Sequence, residues 1–89
     1  MAFYDFGSLE QAVLGSRQVS GDMFVHLGLM YSTGRTVPVD RVAAHKWFNI
    51  AGARGNRDAV ELRRGLAAEM SEGEIAEAQR AARIFLTTH

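Results

Sequence analysis

The chain has no cysteine, one proline and one tryptophan. Without thiols it can hold no disulfide framework, no thiolate nucleophile and no cysteine-based zinc site. Neither sign of charge is in excess: Lys+Arg 10 balance Asp+Glu 10, so the formal net charge is zero. Attachment to nucleic acid through bulk positive charge is thereby excluded. No apolar run approaches the roughly 18–20 residues that a membrane span needs. Phosphate-cradling loops of the G-x-G-x-x-G or G-x-x-x-x-G-K type do not occur. The opening MAFYDFGSLE carries early acids and no basic stretch, unlike a secretory signal. These absences lead to the expectation of a soluble, cytoplasmic chain.

What is present fits one small folded domain. The chain has 89 residues, 47% of them hydrophobic and 22% charged, the balance of a globular chain. A domain this small buries only about 60–65% of the surface its unfolded form exposes, so its core must be efficient.

Glycine and the lone Pro38 punctuate a helical text. Ser8 with Gln11 fits a capping box and predicts a short helix over about 8–18. Ser20 is a candidate N-cap for a second helix over 20–33, closed by Gly34. Within it Met23, Leu27, Met30 and Tyr31 share one face, taken as the inward one. Asp40 caps the next helix, where Ala44, Trp47, Phe48 and Ala51 make the cleanest apolar stripe, and Gly55 ends it. Asn56 opens a helix over 56–70 whose apolar face is Ala59, Leu62, Leu66 and Met70. Ser71 and Glu74 form a second capping box before the stripe Ile75, Ala78, Ala82, Phe85 and Leu86. No stretch is patterned for a strand. The expectation is an all-α fold of about four to five helices joined by short turns.

Between Met23 and Ala59 the chain shows Leu27-Gly28-x-Met30-Tyr31, Gly34-x-x-Val37-Pro38-x-Asp40, Ala44-x-x-Trp47-Phe48 and Ala51-x-x-x-Gly55-Asn56-x-x-Ala59. This pattern resembles a Sel1-like repeat, a helical-hairpin relative of the tetratricopeptide repeat. The resemblance implies antiparallel helical hairpins of a short α-solenoid. It also implies a single domain made of an N-terminal segment and capping helix (1–19), one repeat (20–55), and a partial repeat with a C-terminal capping helix (56–89). Thr36 stands where the family usually has a second loop glycine, Gly52 where it has alanine. Arg63 and Arg64 replace the Leu-Gly of a following repeat. One hairpin cannot bury its own apolar face, so neighbouring helices must cover it.

Few residues suggest chemistry. Asp22 and His26 lie four apart on one helix, which is two metal ligands without a third. His45 and Asn49 share what is read as the solvated face of the Trp47 helix, and His89 is terminal. Glu69, Glu72, Glu74 and Glu77 gather at a helix junction, where capping and the helix dipole account for them. No nucleophile–base or paired-carboxylate spacing emerges, so no catalytic residue, cofactor or metal is expected and the chain is read as non-enzymatic. Residues 35–64 carry seven basic against three acidic side chains, and helices 56–70 and 74–86 could imitate a helix-turn-helix. Glu72, Glu74 and Glu77 would then face phosphates and base edges, which is repulsive. Nucleic acid is accordingly not an expected partner.

The most informative anomaly is helix 20–33, which is apolar on nearly all sides. Val25 and Leu29 project away from its expected inward stripe, with Asp22 and His26 beside them. Such a strip is covered by the aromatic residues Phe3, Tyr4 and Phe6, packed more deeply than the periodicity implies, or left for a partner. The expected function is a protein–protein interaction module, a scaffold or adaptor, with Asp22, Val25, His26, Leu29, Arg63 and Arg64 as candidate partner-binding residues. The partner is a protein, a larger complex or a second copy. The alternatives are a small subunit permanently docked on a larger complex, including one at a membrane, and, less favoured, a DNA-binding regulator.

Overall fold

A computed structural model describes residues 21–89. The helix expected over 8–18, the Ser20 cap and the rings of Phe3, Tyr4 and Phe6 lie outside the described residues. Those described form four helices and no strand: α1 (Gly21–Thr33), α2 (Arg41–Ala53), α3 (Asp58–Ala67) and α4 (Glu72–Thr88). None of them is long and apolar enough to cross a membrane.

Local chemistry sets most boundaries. Gly34 ends α1 at φ +71°, a region unfavourable to side chains, while its N–H donates to the Met30 carbonyl. Asp40 caps α2, its carboxylate accepting from the Ala43 N–H at 3.0 Å. Ser71 and Glu74 exchange both bonds of a capping box, at 3.1 and 2.9 Å. The side-chain oxygen of Asn56 accepts from the Ala59 N–H at 3.0 Å and so caps α3. That helix stops at Ala67, short of the expected residue 70. The N–H groups of Glu69 and Met70 bond instead to carbonyls three residues back, tightening the last turn.

α2 occupies the centre, with the other three helices packed against it. Gly21 abuts the Ala51 carbonyl and the Asp40 N–H donates to the Tyr31 carbonyl, so α1 and α2 run in opposite directions. Gly52 meets Val60 while Arg41 pairs with Glu69 at 3.5 Å, which sets α3 opposite in direction to α2 as well. α4 follows the direction of α2: Phe85 lies on Trp47, and the Arg54 guanidinium donates to the His89 carbonyl at 3.4 Å. α4 makes little contact with α3.

The core gathers Phe24, Leu27, Trp47, Ile50, Ala51, Ala59, Ala82 and Phe85. Phe24 stacks on Trp47 with centroids 5.7 Å apart, and Phe85 meets both rings edge-on, at 5.6 and 5.4 Å. Such offset and edge-to-face pairs add to simple burial. The expected stripe of α2 is buried throughout.

Two packing expectations need correction. Met23 does not face inward; Phe24, Leu27 and Gly28 do. Gly28 decides the rotation, because a Cβ there would lie 2.4 Å from Cε1 of Phe48. Trp47 takes Phe85 of α4 as its second aromatic neighbour, whereas Leu62, expected on the apolar face of α3, stays 37% exposed. α3 approaches α2 along the Gly52 face, and Trp47 sits on another side of that helix.

Candidate functional site

Asp22 begins the candidate surface at the first turn of α1. It is exposed, and its Oδ1 accepts from the Asn56 side-chain amide at 2.7 Å. Asn56 therefore spends its oxygen on capping α3 and its nitrogen on holding α1. The contact is close because Gly21 lacks a side chain. A Cβ there would lie 2.8 Å from both the Ala51 oxygen and the Asn56 Cβ.

One turn on, Val25 is half-buried and packs against the core, while His26 is exposed. Leu29 is 36% exposed and Met23, on the other flank of the helix, is similarly open. The strip anticipated from sequence thus divides: Val25 supports the core and Leu29 meets solvent. Asp22 bonds to Asn56 across the helix junction. Among the described residues no group of three or more His, Asp or Glu side chains is placed to hold a metal ion.

Arg63 and Arg64 also part company. Arg64 is exposed and pairs with Glu61 one turn earlier on α3, at 3.2 Å. Arg63 is half-buried at the α2–α3 junction, where its guanidinium acts on His45.

His45 is the residue that sequence reasoning misplaced. Expected on a solvated face, it is 2% exposed, and its Nδ1 has no hydrogen-bond partner. Burial holds its pKa below the ordinary histidine value of 6.5, and Arg63 pushes the same way. α2 has no broad solvated face, since other helices cover it on several sides. Gly52, two turns later on the face of His45, was the available signal that a helix comes close there. The buried Trp47 Nε1 is the other unpartnered side-chain polar atom of this kind among the described residues.

A hollow of about 500 Å³ lies between the segment 37–40 and the start of α4, lined by Tyr31, Val37, Pro38, Val39, Val42 and Glu74 among others. The charged groups at its rim already have tasks: Asp40 caps α2, Glu74 caps α4 and Arg41 pairs with Glu69.

No protein-family model, curated protein or solved structure matches this chain. The likeness to Sel1-like repeats accordingly rests on the sequence motifs quoted above.

Proposed function

We propose that the chain is a non-enzymatic protein–protein interaction module of the Sel1-like, tetratricopeptide-related kind. In this reading α1 and α2 are the hairpin of one repeat, and α3 begins a partial second one. The opposed directions of α1 and α2, and of α2 and α3, support the reading. The observation that carries the function is the state of α1. A helix that already commits Phe24, Leu27 and Val25 to the core still presents Leu29 and Met23 to solvent. Each is a little over one-third exposed, so burying what remains in a partner is worth roughly 0.5–1 kcal/mol per side chain. Asp22 and His26 lie beside the apolar positions on α1, while Arg63 and Arg64 belong to α3.

The test is a photo-crosslinking residue at position 29 in the full chain, expressed in cells, with a control at the exposed Arg83 of α4. Protein crosslinks at 29 that are missing at 83 support the module. Crosslinks at neither position, or a salt-dependent shift of duplex DNA by the purified protein, count against it. A permanently docked subunit is the second reading. It is favoured by exposed apolar side chains on three of the four described helices and on the 34–40 segment: Met23, Leu29, Val39, Leu62 and Ile84. A chain that stays insoluble unless co-expressed with its complex would select it.

A further inference from the structure

The α2–α3 junction contains a buried titratable group that the interaction surface does not use. Arg41 of α2 touches Glu69 of α3, and Gly52 of α2 faces Val60 of α3. His45 lies between Arg41 and Gly52, so it sits opposite the stretch from Val60 to Glu69 that includes Arg63. Its ring is 2% exposed and Nδ1 has no partner. An imidazolium formed there would be a buried cation facing a second cation, without a free carboxylate to receive it.

The charged groups around the site bear this out from each element. On α3, the Arg63 charge acts on the ring, Glu69 is engaged by Arg41, Arg64 and Glu61 pair in solvent, and Asp58 is exposed in the first turn. On α2, Lys46 lies 3.9 Å over the Trp47 ring, on a different face. α1 offers Asp22, bonded to Asn56, and the exposed His26. The charged residues of α4 are exposed, and that helix makes little contact with α3.

α3 is also the helix held least firmly. It is the shortest of the four, and Ala59 is its one buried residue. Gly65 near its end would admit a Cβ with nothing within 4 Å. We propose that His45 is an acid-sensitive latch whose protonation releases α3 from α2, while the aromatic core of α1, α2 and α4 stays closed. The rings of Phe24, Trp47 and Phe85 come from those three helices and none from α3, so α3 can leave without separating them. Its departure would also strain the Asn56 link to Asp22, coupling acidification to the surface of α1.

Because the closed form binds the proton more weakly than the open form, lowering the pH from 7.5 to 5.5 should favour the open form, with about tenfold as the upper limit. The experiment is amide hydrogen exchange by NMR on the full chain at both pH values, corrected for intrinsic exchange, with Trp47 emission followed in parallel. The expected result is more opening for the α3 amides at the lower pH, up to about tenfold, with α2 protection and Trp47 emission unchanged. In His45→Leu the pH dependence should vanish. Equal α3 protection at both pH values, an unchanged response in His45→Leu, or simultaneous opening of all four helices would each overturn the latch. Should His45→Leu fail to fold, the Cε1–H shift of His45 in the wild-type chain decides: a midpoint below the ordinary histidine value of 6.5 supports the latch, and a midpoint at that value overturns it.

Discussion

Asn56 joins Asp22 at 2.7 Å through its amide nitrogen while its oxygen caps α3. One side chain therefore fixes the start of α3 and ties it to the start of α1. Asn56→Ala should cost about 1–2 kcal/mol, the loss of a cap together with a side-chain hydrogen bond. Asn56→Asp retains a capping oxygen but turns a carboxylate toward Asp22, so it should lie between the wild type and Asn56→Ala. Urea unfolding midpoints would rank the three chains.

Trp47 contacts both Phe24 and Phe85, and its truncation to alanine should cost about 3–5 kcal/mol, enough to unfold a small domain. Phe85→Ala should approach that loss, because the same cluster opens from the α4 side. A Trp47→Ala protein melting within a few degrees of wild type would show the indole to be peripheral.

Two glycine substitutions should act with opposite sign. Gly28→Ala forces a Cβ to 2.4 Å from Phe48 and should destabilise by about 1–3 kcal/mol. Gly65→Ala meets nothing within 4 Å and should stabilise by about 0.5–1 kcal/mol through helix propensity. Thermal denaturation of the two variants would show melting points on opposite sides of wild type.

The arginine pair should divide in the same manner. Arg64→Ala removes an exposed ion pair and should change stability by no more than about 0.5 kcal/mol. Arg63→Met removes the charge facing His45 and should raise the pKa of that ring toward its ordinary value, read by NMR titration. Retention of the wild-type pKa in Arg63→Met would place the cause in burial alone.

Global stability should fall in mild acid. The folded pKa of His45 is lowered, so as pH drops the unfolded chain binds the proton first. Stability is then complete above the ordinary histidine range, declines from about pH 6.5 toward the lowered folded value, and levels beneath both. Denaturant midpoints across this range, compared with those of His45→Leu, measure the slope assigned to this residue.

Much of the helical layout was legible because it is written locally. Asp40, Gly34 and the Ser71–Glu74 box act within a few residues of themselves, and their types announce their roles. The α2 stripe was legible for a similar reason, since Trp47 and Phe48 are too large to be left in water. His45 was not legible. Periodicity says which residues share a face, but it does not say how many faces a neighbour covers, and α2 is covered on several. The rotation of α1 depended on the Phe48 ring seated against Gly28, a contact between residues twenty positions apart. Of the candidate surface, the sequence put Leu29 off the expected inward stripe but left open whether it is covered. The Asp22–Asn56 bond and the separation of Arg63 from Arg64 required the packed structure.

The aromatic trio also constrains the order in which the domain is made. Phe24 and Trp47 belong to the first two described helices, whereas the ring that closes over both comes from Phe85 in the fourth. A nascent chain emerging from the ribosome therefore carries two large rings through the synthesis of α3 and most of α4 before their third neighbour arrives. During that interval the partial domain shows sticky apolar surface to its surroundings, as incompletely folded chains do. Its dependence on chaperones should be concentrated there, and translation halted before Phe85 should leave a product that cells degrade.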